Sequence, residues 1–340
     1  TKGGVDAEKR IVLAEKRERE GPVAEMMDES YRLFFRGQRL ASRTVIGTDE
    51  TLRAATPASV RLFHDRWYRP ENVVISIAGD VSPALLQQMI EKHFADWAVA
   101  GTPAQAPDFG DPVPGGPDVK LIVQPNTPLL MYWTIARPWR PVRDTFEYNE
   151  QNIVDNIALR VINRRLERFA RQGASFLSAS VSGQKVARSA DVTQMAIQPE
   201  GDWQAAMSDA RAFVADALAT PPSKAEVDRE IAEYLDAVQQ SVDGYPSESA
   251  SEAADSIAIA VDIRETVATP MVVQQLIEGA VPRITPERVF ESTKALFTGD
   301  VSRLLMVSPQ PVEGGKAALD AAFNVPLDAS AAVRVAQEEV

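Results

Sequence analysis

The chain has 340 residues, 45% of them apolar and 25% charged, with a formal net charge of −12. This is the composition of a globular chain long enough for two ordinary domains, and its acidic balance argues against nucleic acid or anionic lipid as a partner. The lack of cysteine excludes disulfides, thiolate metal sites and a cysteine nucleophile, and no apolar run approaches the roughly 18 residues of a membrane helix.

Residues 7–19 are rich in Glu, Lys, Arg and Ala around Ile11, Val12 and Leu13, and predict a helix. A second helix is expected after the Gly21-Pro22 break, carrying Met26, Met27, Tyr31, Leu33 and Phe34. Thr56-Pro57 joins an N-cap to a first-turn proline and opens a helix to about Trp67. The run 72–78, β-rich, apolar and closed by Gly79-Asp80, predicts a buried strand, and Ser82-Pro83 opens a helix through Leu86, Met89, Ile90 and Phe94. Residues 101–118, punctuated by Pro103, Pro107, Pro112, Pro114 and Pro117, form the clearest linker. Beyond it, 120–123 and 129–136 predict strands, 145–170 a long helix striped by Ile153, Ile157 and Val161, and 175–186 and 192–198 two more strands. Four capped helices are expected next, with capping boxes at Ser223-x-x-Glu226 and Ser249-x-x-Glu252, and Thr285-Pro286 repeats the Thr56-Pro57 device. Residues 302–307 predict a last buried strand, and 310–340 a tail or linker.

Moving the chain against itself by 229 positions lays Thr56-Pro57 on Thr285-Pro286, Val60 on Val289, Tyr68 on Phe297 and the run 73–78 on 302–307. A capped helix, a short loop and a strand thus recur in one order at one spacing, which predicts a structural duplication. On that reading the first domain lacks its beginning.

Chemistry-bearing residues are sparse. His64 and His93 each sit in a predicted helix outside any His-x-x-Glu-His pattern, and read as ordinary helix-surface or partly buried histidines. No Gly-x-Ser-x-Gly elbow and no phosphate-binding glycine loop occurs. Glu8 and Glu15, seven apart, share one helix face at roughly 10 Å along the axis. By spacing alone such a pair is usually a solvated one, neutralised by neighbours such as Lys9, Arg10, Lys16 and Arg17.

The run 8–15, two glutamates flanking six residues with an apolar centre, resembles the distal zinc helix of the pitrilysin/insulinase-type zinc metallopeptidases. The order that follows is also similar to that family: Gly21-Pro22, an amphipathic helix, Ile46-Gly47-Thr48, then Phe63 with Trp67-Tyr68-x-Pro70-x-Asn72 and a strand ending at Gly79-Asp80. Leu166-x-x-Phe169-x-x-x-Gly173 resembles the family's catalytically silent repeat. The resemblance implies an α+β fold of two homologous α/β-sandwich domains of the half-shell type, the first truncated at its N-terminus. Residues 1–100 would be the C-terminal part of the zinc-binding domain, 101–118 a linker, 119–309 a silent domain and 310–340 a tail or inter-half linker. Glu15 would be a Zn2+ ligand and Glu8 its outer partner.

The family's inverted His-x-x-Glu-His has no counterpart here and would lie about 75 residues before Glu15. The implied activity is peptide hydrolysis through a metal-bound water, zinc lowering the water's pKa and the missing glutamate taking its proton. The chain alone is therefore expected to be inactive, with no catalytic residue of its own. Its expected partners are an upstream His-bearing segment, a second half or subunit, and peptide substrates; nucleic acid and a membrane span are not expected. The periplasm is the location the family's bacterial members imply. A non-catalytic scaffold or partner-binding subunit on the same fold is the alternative.

Overall fold

The computed structural model describes residues 1–262 and 264–328. Five helices come first: α1 (Lys2–Arg19), α2 (Pro22–Phe34), α3 (Asp49–Ala54), α4 (Pro57–Trp67) and α5 (Pro83–Phe94). Then follow β1 (Gly115–Val123), β2 (Leu130–Pro138), α6 (Phe146–Arg171), β3 (Phe176–Val186) and β4 (Ala190–Pro199). The remaining elements are α7 (Trp203–Ala219), α8 (Lys224–Gly244), α9 (Ala250–Asp262), α10 (Pro270–Ala280), α11 (Pro286–Leu296), β5 (Val301–Ser308) and α12 (Gly315–Phe323).

Local chemistry sets most of these boundaries. The Thr56 hydroxyl accepts from the Ser59 N–H at 3.1 Å, and the Thr285 hydroxyl from the Arg288 N–H at 3.3 Å, each satisfying an orphan donor of a first turn. Both capping boxes form: Glu226 accepts from the Ser223 N–H at 2.8 Å, and Glu252 from the Ser249 N–H at 3.0 Å. Ser82 makes no side-chain cap bond.

The five strands form one sheet in the order β1-β5-β2-β4-β3. β5 runs parallel to β1 and antiparallel to β2, so the last strand of the described residues is inserted between the first two. Side chains alternate across the sheet as its pleat requires. Val119, Met131, Trp133, Ile135, Leu304 and Met306 share one core with residues of α6, α7 and α12. Ala136, Val192, Val301, Leu305 and Val307 belong to a second core, and there Phe34 and Phe35 from the end of α2 are packed. Arg303, buried in β5, ties this contact: its guanidinium donates to the Phe34 carbonyl at 2.6 Å and the Val113 carbonyl at 3.2 Å. It thereby neutralises a carbonyl at the C-terminal end of α2.

Four expectations need correction. Residues 72–78 are not a buried strand: 73–78 carry no ladder, and Val73, Val74, Ile75 and Ile77 are exposed. A strand run needs neighbours to satisfy its backbone, and the sheet of the described residues is built wholly from 115 onward. The stretch 310–340 is not only a tail, since α12 forms within it and buries Leu319 and Phe323; residues 329–340 lie outside the described residues. Five helices, α7 to α11, stand between β4 and β5 where four were expected. In addition, β1 begins at Gly115, inside the stretch read as linker.

The 229-residue register extends through both halves. Adding 229 to 57 and 67 gives 286 and 296, the bounds of α11, so α4 and α11 coincide end to end. The same shift puts α2 within a residue of α9, ends α5 where α12 ends, and lays much of α1 along α8. Burial, however, differs between the copies. Val60 is 48% exposed and its counterpart Val289 0%; Ile75 is 40% and Leu304 0%; Phe94 is 44% and Phe323 3%. Phe34 and Phe35 are the only buried apolar side chains of the first hundred residues, and both are packed on the other copy's sheet.

Candidate functional site

Two lysines seat α1 on α3. Lys9 donates to the Arg53 carbonyl at 2.9 Å, and Lys16 bonds Asp49 at 2.9 Å and Glu20 at 3.1 Å. The Lys16–Asp49 bond is the largest cause holding Asp49 below the usual carboxylate range. A second face of α1, about a third of a turn round from Lys9 and Lys16, presents Glu8, Ile11 and Glu15, all exposed. Glu15 pairs with Arg19 one turn on, at 2.7 Å. The two predicted carboxylates therefore do share a face, and it is an open one.

The counterparts of Glu8 and Glu15 in the second copy are Ala237 and Gly244 of α8, obtained by adding 229. Both are also exposed, although the sheet of that copy is complete. An open face at this register is thus a property of the architecture. What lies beside it is α6: Ile153, Val154, Ile157 and Val161 of α6 share a core with Val227, Ile231, Leu235 and Val238 of α8. Ion pairs bind the two helices further, Arg165 to Glu226 at 2.8 Å and Arg164 to Glu230 and Glu233. Burial acts to raise the Glu226 pKa, but the Arg165 guanidinium and the Ser223 N–H overcome it and hold the carboxyl at about 2.

The residues present do not by themselves fit a zinc ion. A zinc site needs three or four donors, and among the described residues no three His, Cys, Asp or Glu side chains converge. His64 stacks on Tyr68 with ring centroids 4.9 Å apart and lies 3.0 Å from Asp65; His93 is exposed on α5. Both are histidines on exposed helix faces, one of the two placements the sequence leaves open.

Unforeseen from sequence is a cleft of about 480 Å³ beside α6, lined among others by Arg137, Asp155, Leu159, Lys185, Asp191 and Ser292. Its charges are engaged. Arg137 donates to the carbonyls of Leu296 and Thr298 at 3.0 and 3.1 Å, and Asp155 accepts from the Ser292 hydroxyl at 2.6 Å. These bonds fasten β2 and α6 to α11, a fastening role. Arg303 was missed as well, although a lone charge within the apolar run of β5 was the signal for a buried, carbonyl-bonded cation.

The model of the peptidase M16 inactive domain matches residues 54–234. The chain belongs to the M16, insulinase-type, peptidase family. Curated M16 relatives include the zinc protease PQQL-like of Arabidopsis thaliana, 24% identical over 186 residues, which are 54% of this chain and 19% of that protein. The probable zinc protease PqqL of Haemophilus influenzae is 21% identical over 169 residues, 49% of this chain and 18% of that one. Among solved structures, the periplasmic protease PqqL of Escherichia coli superposes with a TM-score of 0.81 at 19% identity, covering 97% of this chain and 38% of that one. A structure of the first half of the same protein gives the same score and is covered over 72% of its length. The M16 chain described here thus spans about a fifth of these two curated relatives, and its fold is that of the M16 half-shell structures. No described helix is long and apolar enough to cross a membrane.

Proposed function

We propose that this chain is part of a zinc metalloendopeptidase, in which Glu15 contributes one carboxylate ligand to a shared zinc site and Glu8 orients that site from behind it. The carrying observation is positional: α1 is the register counterpart of α8, and α8 packs along α6. A segment supplying the counterpart of α6 would therefore run beside the Glu8/Glu15 face, where its side chains could complete the donor set. The zinc-protease names of the relatives support this reading. The second copy has Ala237 and Gly244 at the two positions, which suits a non-catalytic wall for an enclosed peptide substrate. A periplasmic location is supported by the E. coli PqqL, described as periplasmic.

The test is zinc content and peptidase activity of this chain alone, of the longer polypeptide with its His-bearing segment, and of Glu15→Gln in the latter. The chain alone is expected to be metal-free and inactive and the longer polypeptide to bind one zinc. Glu15→Gln should lower metal affinity or activity by a factor of about 10–100 or more. Full activity of Glu15→Gln with unchanged zinc content would overturn the assignment.

A further inference from the structure

One apolar side chain of the first copy is open for a reason other than the lack of a sheet around 73–78. Val45 is fully exposed at the tip of a tight turn, Thr44-Val45-Ile46-Gly47. The Gly47 N–H donates to the Thr44 carbonyl at 3.1 Å, and the Thr44 hydroxyl to the Gly47 carbonyl at 3.3 Å. Gly47 has a φ of 83°, in the left-handed region that favours glycine. Directly after it Thr48 caps α3, accepting from the Thr51 N–H at 3.2 Å. The turn is therefore fixed, its hydroxyl is turned onto its own backbone, and its tip presents the Val45 isopropyl group to solvent.

The second copy carries the same device. Thr266-Val267-Ala268-Thr269 leads into α10 as Thr44-Val45-Ile46-Gly47-Thr48 leads into α3, at an offset of 221 to 222 in place of 229. Thr269 caps α10, and α10 packs on α8 as α3 is seated on α1. There α6, α8 and the sheet are all in place, and Val267 is still 52% exposed. A lone exposed valine needs no explanation. One kept open twice at the same point, once beside a complete core, is a side chain held out for a contact.

Its location follows from what holds it on two sides. In the second copy the Thr266 N–H donates to Asp144 at 2.6 Å, and Asp144 immediately precedes the Thr145 cap of α6, so the tip lies at the N-terminal end of α6. In the first copy Asp49, the first residue of α3, bonds Lys16 at 2.9 Å, and Lys16 follows Glu15. The tip thus adjoins both the helix position assigned above to the remaining zinc donors and the turn of α1 that carries Glu15. We propose that Val45 is a specificity-determining contact: its isopropyl group packs on an apolar side chain of a bound peptide, next to the bond being cut. The inference rests on the zinc reading and adds what that site selects.

The test uses the longer polypeptide with its His-bearing segment and a set of internally quenched peptides that differ at one position at a time, with Leu, Lys or Asp there. Val45→Ile, Val45→Thr, Val45→Asp and, as a control on an exposed residue after α12, Val325→Asp are compared by kcat/KM, by cleavage position and by zinc content. Val45→Thr keeps the shape of the side chain and removes its apolar character. Val45→Thr and Val45→Asp are expected to lower kcat/KM by about tenfold or more for peptides with Leu at one position flanking the cut bond. Peptides with Lys there should change far less, zinc content should stay the same, and Val45→Ile and Val325→Asp should keep the original preference. An equal loss for every peptide, or no change in preference, overturns the inference while leaving Glu15 as a zinc ligand. A longer polypeptide that binds no zinc and cuts no peptide overturns the zinc reading instead, and the contact is then read by binding. The chain has no cysteine, so the thiol of Val45→Cys reports alone: slower maleimide labelling with the Leu peptides than with the Asp peptides sustains the apolar contact, and equal rates overturn it.

Discussion

At Glu226 a single carboxyl holds a cap, an ion pair and part of the α6–α8 contact. Its side chain closes the Ser223 capping box and accepts two bonds from Arg165, both at 2.8 Å. Its pKa in the folded chain, about 2, lies below the ordinary carboxylate value of 4.5. The stability linked to it is therefore complete above about pH 4.5 and is lost as pH falls from there toward 2. Glu226→Gln should flatten the acid limb of a stability-versus-pH curve in this window and cost about 1–3 kcal/mol at pH 7, measured by urea unfolding. Residues of this kind were half legible: the capping box is a local pattern, whereas the Arg165 partner is 61 residues away and visible only once α6 and α8 are packed. The shared face of Glu8 and Glu15 followed from helical geometry. That it is open follows from the seating of the Lys9 and Lys16 face on α3, which spacing does not encode.

Elements were read well where the chain marks its own boundaries. Thr56-Pro57 and Thr285-Pro286 start helices at the residues their chemistry names, and the hairpin strands begin and end within a few residues of their apolar runs. α12 escaped because it opens on Gly314, in left-handed backbone with no side-chain cap, so nothing in its first turn distinguishes it from a glycine-rich tail. A third threonine–proline device, Thr269-Pro270, starts α10 and was passed over in a polar, alanine-rich stretch. The run 73–78 has the composition of a central strand and lacks its partners, which separates strand propensity from strand formation. A pair of substitutions measures that separation. Leu304→Ala, fully buried in β5, should cost about 2–5 kcal/mol, while Ile75→Ala, at the same register in the first copy, should stay within about 0.5 kcal/mol in this chain. Equal losses in urea unfolding would mean that residues 73–78 already lie in a sheet.

Across the whole molecule, stability is unevenly distributed. Almost all buried apolar side chains come from residues after 115, and the first copy is held to them through Phe34, Phe35, Gln38 and Arg303. Limited proteolysis of the native chain should therefore cut first within 73–81 and leave a resistant core spanning β1 to α12, with fragment masses as the readout. Phe34→Ala should hasten release of the first copy with little change in the midpoint of the remaining core.

The position of β5 has a consequence for how the chain is made. β1 has one sheet neighbour, and that neighbour is β5, whose first residue is synthesised 178 positions after Val123. Until Val301 and the residues after it have left the ribosome, the edge of β1 has nothing to pair with, and β2 has only β4. A nascent chain arrested before β5 therefore carries an open apolar strand for most of its length, a state in which non-local pairing is slow and association with other chains competes. Translation to the end of β5, rather than emergence of the earlier hairpin, is the event that closes the sheet.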